Sequence, residues 1–182
     1  QIIVSGPSGS LESMKSKTGE ELPYWRIDDF TGSPAGNYKA TLITDKKAVS
    51  NLEFIISPGE VASPTGVAWK TLRAWDSDME AIYSAWINAL FQGCDEHSSW
   101  PSLNAVTQNK DKNFLYNFLS QGEDDPDSKN RVIMQPDCAD NPFFLRAYFA
   151  WKLDLPFGYH VCNRGWLGHS PKTGQWITNE TP

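Results

Sequence analysis

The stretch from Asp137 to Gly158, DCADNPFFLRAYFAWKLDLPFG, constrains this chain more than any other. Between Phe143 and Leu153 only Arg146 and Lys152 carry charge, and Phe143, Phe144, Leu145, Tyr148, Phe149, Trp151 and Leu153 cover nearly every face of a helix. A helix apolar on so many sides belongs inside a domain. Asp137, Asp140 and Asn141 each offer an N-cap, and Pro142 suits a first turn, where its missing N–H costs nothing. Pro156 disfavours helical geometry just before it and Gly158 follows, so the predicted helix runs from 138 to 153. Cys138 then sits at or just before the positive end of a buried helix. Such a position can lower a thiol's pKa and turn backbone N–H groups towards an oxyanion.

Asp-Cys followed by a small residue, at the head of an apolar helix, resembles the nucleophile motif of bacterial papain-like cysteine hydrolases of the NlpC cell-wall amidase type. The passage after the helix, LDLPFGYHV, is similar to the helix-to-strand turn of transglutaminase-like proteins, which share the papain-like core. The match covers Asp137 to Val161. It implies an α+β papain-like fold, a nucleophile at Cys138, and a substrate that is a peptide or a peptidoglycan amide, with no cofactor and no metal. The family's catalytic histidine has two downstream candidates. His169 follows a glycine, as that residue often does in the family, but lies in a loop sequence. His160 lies on a predicted strand adjoining the helix. His97 precedes the cysteine and would demand a permuted arrangement. Asp140 can orient an imidazole or merely cap the helix, while the carboxylate of Asp137 opposes ionisation of its neighbour. His169 or His160 is expected as the base; if neither serves, either the strand that carries the family's histidine is expected beyond Pro182 or the fold is kept and the chemistry is incomplete. An active hydrolase, a non-catalytic binding or assembly protein on the same core, and a transglutaminase-like acyl transferase are the three readings, in that order.

Upstream, residues 1–57 are predicted to form a small β module. Ile2 to Val4 open a strand, Tyr24 to Phe30 supply another, and Tyr38 to Thr44 alternate ahead of an Asp45–Lys47 turn and a partner over Val49 to Ile56. Gly36-Asn37-Tyr38 after Pro34 resembles the entry to late strands of immunoglobulin-like modules, which implies a sandwich-like unit. Residues 58–66 carry linker chemistry, and 67–182 the papain-like α+β domain. There the period changes from two to 3.6. Ser77 and Glu80 fit a capping box, and Met79, Ile82, Tyr83, Trp86, Ile87, Leu90 and Phe91 follow helical spacing up to Gly93. Short helices are expected over 100–108 and 113–119, and short strands over 131–134, 157–162 and 175–178. The acidic run from Glu123 to Asp127 lacks the Gly and distal Glu of an EF-hand and reads as a solvated loop.

Eight Trp, nine Phe and six Tyr in 182 residues make a packed core affordable. A net charge of -6 without a Lys/Arg cluster argues against nucleic acid or an anionic membrane as partner. No apolar run approaches the length of a membrane span. Gln1 is not an initiator Met, so a processed chain that has lost an export signal is expected, with a periplasmic or extracellular location. Cys94, Cys138 and Cys162 allow either a Cys94–Cys162 disulfide with Cys138 free, or three reduced thiols. No C-x-x-C pair exists, and His160 with Cys162 is half a zinc site at most.

Overall fold

The computed structural model describes residues 1–11, 15–19, 24, 26–30, 34–56 and 66–181. Helix and strand are mixed in an α+β chain, and it divides into two compact units, residues 1–62 and 63–182. The predicted linker over 58–66 lies outside the described residues except for Gly66, and Trp25 of the second predicted strand does too.

The first unit holds a four-stranded antiparallel sheet in the order β2 (Gly9–Leu11), β1 (Ile2–Gly6), β5 (Gly36–Thr44), β6 (Lys47–Ile56). A separate hairpin pairs β3 (Lys15–Thr18) with β4 (Arg26–Asp29). Register explains the alternation in the sequence. Val4 faces Ala40, Ala40 faces Leu52 and Tyr38 faces Phe54, so one side of the sheet collects the apolar residues. Tyr38 and Val4 are buried at its centre, with Tyr38 stacked on Phe54 and its hydroxyl donating to the carbonyl of Pro34 at 2.6 Å. Asp45 and Lys46, both at positive φ, make the tight turn expected between β5 and β6. The sandwich expected of residues 1–57 is seen only as this sheet and one additional hairpin among the described residues.

The second unit is built on α1 (Ser77–Phe91) and α3 (Asn141–Lys152), with a short α2 (Leu103–Thr107) and a hairpin of β7 (Gly158–Cys162) and β8 (Thr173–Thr178). Trp86, Leu90, Leu145, Phe149, Ala150 and Leu155 form the core. Trp86 lies parallel to Tyr148 at 5.5 Å, and Phe149 packs on Tyr83 at 5.1 Å and on Trp75 at 5.7 Å. Two indole N–H groups fasten the turn after α3: Trp69 donates to the carbonyl of Leu155 and Trp75 to that of Pro156, both at 2.8 Å. The conspicuous tryptophans upstream of α1 thus hold the LDLPFG passage.

Several expectations change. The cap of α1 is Asp76, whose carboxylate accepts from the N–H of Met79 at 2.8 Å, so Ser77 begins the helix proper instead of capping a box. Helix α3 starts at Asn141, three residues after Cys138, because Asp137 draws residues 138–140 into a turn of their own. The helix expected over 113–119 is a series of turns in which Asn117 adopts positive φ, as does Ser120 beyond it. Asp124 competes there for the helix N–H groups by accepting from Asn117 at 2.8 Å. Residues 131–134 run without regular structure instead of forming a strand. The acidic loop is not all solvated: Glu123 and Asp124 are buried against Lys152 of α3. Asn179 is also buried, its amide donating to Trp69 and Thr71 and accepting from the N–H of Phe157. No described helix is long and apolar enough to cross a membrane.

Candidate functional site: the Cys138 groove

Cys138 lies in the turn between Pro136 and α3 and is an exposed residue. Asp137 shapes this turn, its Oδ1 accepting from the N–H groups of Ala139 at 2.9 Å and Asp140 at 3.0 Å. Those two donors are therefore occupied and cannot serve an oxyanion. Asp140 occupies the cap position of α3 with helical dihedrals and no side-chain capping bond, while its carbonyl accepts the N–H of Phe144. Pro142 stands in the first turn as its chemistry favours.

Beside the thiol opens a groove of about 190 Å³. Phe91 at the end of α1, Trp100, Pro101 and the α2 residues Leu103 and Val106 form one wall, and Pro136, Asp137, Cys138 and Asn141 the other. Phe91 and Trp100 meet edge to face at 5.7 Å, and Trp100 remains 41% exposed. The Oδ1 atom of Asn141 is buried in this region with no hydrogen-bond partner. A buried orphan acceptor costs about 1–3 kcal/mol. The groove thus brings together a cysteine, two aromatic side chains and Asn141.

No imidazole lines the groove. His160, on β7, donates from Nδ1 to the carbonyl of Gly174 at 3.2 Å and packs on Trp176 at 4.7 Å. His169, in the hairpin loop, packs on Trp166 at 4.5 Å. His97 sits exposed beside Glu96 at 3.6 Å. Cys138 and Asp140 are thus brought together by chain proximity, but neither predicted histidine is bonded to either. All three cysteines are free, which removes the Cys94–Cys162 bridge as an argument for export. Cys94 instead lies 3.9 Å from the ammonium of Lys112. Among the described residues no cluster of three or more His, Cys, Asp or Glu side chains could hold a metal ion.

One polar constellation escaped the sequence reading. The Lys152 ammonium, fully buried, donates to Glu123 and, at 2.5 Å, to Asp124. Tyr148 donates to Asp124 at 2.7 Å, Asn113 to Tyr148 at 3.0 Å, and Trp86 to Asn113 at 2.9 Å. Burial, reinforced by the charge of Asp124, pushes the Tyr148 phenol far above its ordinary value, so it stays a donor. For Glu123, burial favours the neutral acid, but the hydrogen bond from Lys152, backbone N–H groups and the Lys152 charge outweigh it and hold its carboxyl low. This sealed network reaches no solvent and fastens the irregular 113–131 segment to α3. The available signal was Lys152 itself, four residues after Tyr148 on a helix whose surroundings are apolar.

No protein-family model, no curated protein and no solved structure matches this chain.

Proposed function

We propose that this chain carries the nucleophile of a cysteine hydrolase acting on peptide or cell-wall amide bonds, with Cys138 as the attacking thiol. The exposure of Cys138, which lines a groove with Phe91 and Trp100 just ahead of a packed helix, carries this reading. The thiolate would attack the carbonyl carbon and expel the amine, and water would then release the acyl group from sulfur. The general base must be an imidazole brought to within about 2.6–3.2 Å of the sulfur or its substrate. His169 and His160 are the candidates within these residues, and both would have to leave their indole partners to act.

A second reading, a binding or assembly protein on the same framework, is favoured by the groove's lack of an imidazole. Cys162, also exposed, supplies an internal control. If Cys138 is a catalytic nucleophile, a peptidyl chloromethyl ketone should label it about tenfold or more faster than Cys162, and excess peptide amide should protect it. Mass spectrometry of the two cysteine-containing peptides reads both rates. Equal labelling, with no amine released from peptide amides or peptidoglycan and no effect of Cys138→Ala, leaves the binding reading in place.

A further inference from the structure

The β7–β8 hairpin carries a surface for which the thiol site has no use. From Gly158 to Thr178 the chain holds Arg164, Lys172, His160 and His169 but no Asp or Glu, although the whole chain carries a net charge of -6. The far end of this hairpin is tied into a fixed shape. Asn163 accepts through Oδ1 from the N–H groups of Gly165 at 3.2 Å and Lys172 at 2.9 Å. Trp166 and His169 exchange two backbone hydrogen bonds, at 3.3 and 2.7 Å, and close a tight turn on Leu167 and Gly168. Gly168 has φ +83°, a conformation this turn reserves for glycine. Leu167 is consequently held at the apex with 100% of its surface exposed, and Trp166 beside it is 64% exposed.

We propose that this hairpin docks on an anionic lipid surface, with Leu167 and Trp166 entering the interface and Arg164 and Lys172 meeting the phosphate headgroups. A fully exposed aliphatic apex gains from hydrocarbon. Tryptophan settles at the headgroup level, where one edge is wet and the other apolar. Charge favours this orientation: Arg164 and Lys172 meet the anionic surface from a hairpin that holds no Asp or Glu, whereas the chain as a whole is negative. The chain-wide charge balance, which argues against membranes, conceals this local exception. One apex and two cations make the attachment weak, reversible and sensitive to salt.

The test is co-sedimentation of the 182-residue chain with vesicles of phosphatidylcholine alone or mixed equally with phosphatidylglycerol. Binding is expected to be about tenfold stronger to the anionic vesicles and to fall as salt is raised. Leu167→Asp should lower it about tenfold, and Arg164→Gln with Lys172→Gln should lower it comparably and flatten the salt dependence. The thermal melt of Leu167→Asp should match wild type, since the side chain touches nothing, and Cys138→Ala should bind like wild type, separating this proposal from the thiol chemistry. Failure to pellet with phosphatidylglycerol, full binding by Leu167→Asp, or pelleting with insoluble peptidoglycan but not with vesicles would each overturn it.

Discussion

Lys152 shows how one residue can govern a segment far from it in sequence. Its ammonium answers two buried carboxylates, and each of these also takes backbone N–H groups: Glu123 those of Leu119 and Gln121, Asp124 that of Asn117. Lys152→Met should cost about 3–5 kcal/mol in chemical denaturation, because it strands two buried carboxylates. Glu123→Gln isolates the pH dependence. The native carboxyl of Glu123 titrates below its ordinary 4.5, so its contribution is complete above that value and disappears as pH falls through the lower native one. Wild type should therefore lose stability on acidification, and Glu123→Gln should flatten part of that loss. Identical acid profiles for the two proteins would contradict the assignment. The sequence marks Glu123 and Asp124 only as part of an acidic run. Their burial depends on a cation 28 or 29 residues away, which no local pattern records.

At the scale of elements, α1 and the β5–β6 hairpin were legible because a period of 3.6 or 2 runs through them, and α3 because an apolar run lies between Pro142 and Pro156. What the period does not contain is where an element begins. Asp76, not Ser77, caps α1, and the difference is testable: Asp76→Ala should cost about 1 kcal/mol of stability, while Ser77→Ala should cost little. Equal costs would return the cap to Ser77. The same limit applied to the site. The motif placed Cys138 at the head of the helix, but the turn that Asp137 builds displaces the helix start to Asn141. The walls contributed by Phe91, Trp100 and Leu103 come from other elements, so tertiary packing alone assembles them. Between α1 and α3, Glu80 accepts from two guanidinium nitrogens of Arg146, which lies 3.3 Å from the ring centroid of Trp75. The hydrogen bond from Arg146 holds the Glu80 carboxyl below its usual range, but both side chains are solvent-accessible and the pair is a modest contributor.

For the whole molecule, two compact units imply two cooperative blocks, and each contains a position that perturbs it alone. In the first unit, Gly6 on β1 lies against the ring of Tyr38: a Cβ there would stand 2.0 Å from a ring carbon. Tyr38 cannot swing aside cheaply, because it is 3% exposed, stacked on Phe54 and bonded to Pro34. Gly6→Ala should then cost about 1–3 kcal/mol by overpacking. A unit of some sixty residues has little reserve, since small domains bury a smaller share of their surface, so this loss should lower its melting temperature measurably. Lys152→Met acts on the second unit and touches none of these groups. Calorimetry of wild type, the two single variants and the double variant separates the blocks. Gly6→Ala should move one transition, Lys152→Met the other, and the double variant should show both displacements unchanged if the units melt independently. A single transition shifted by either substitution would mean that the two units melt as one.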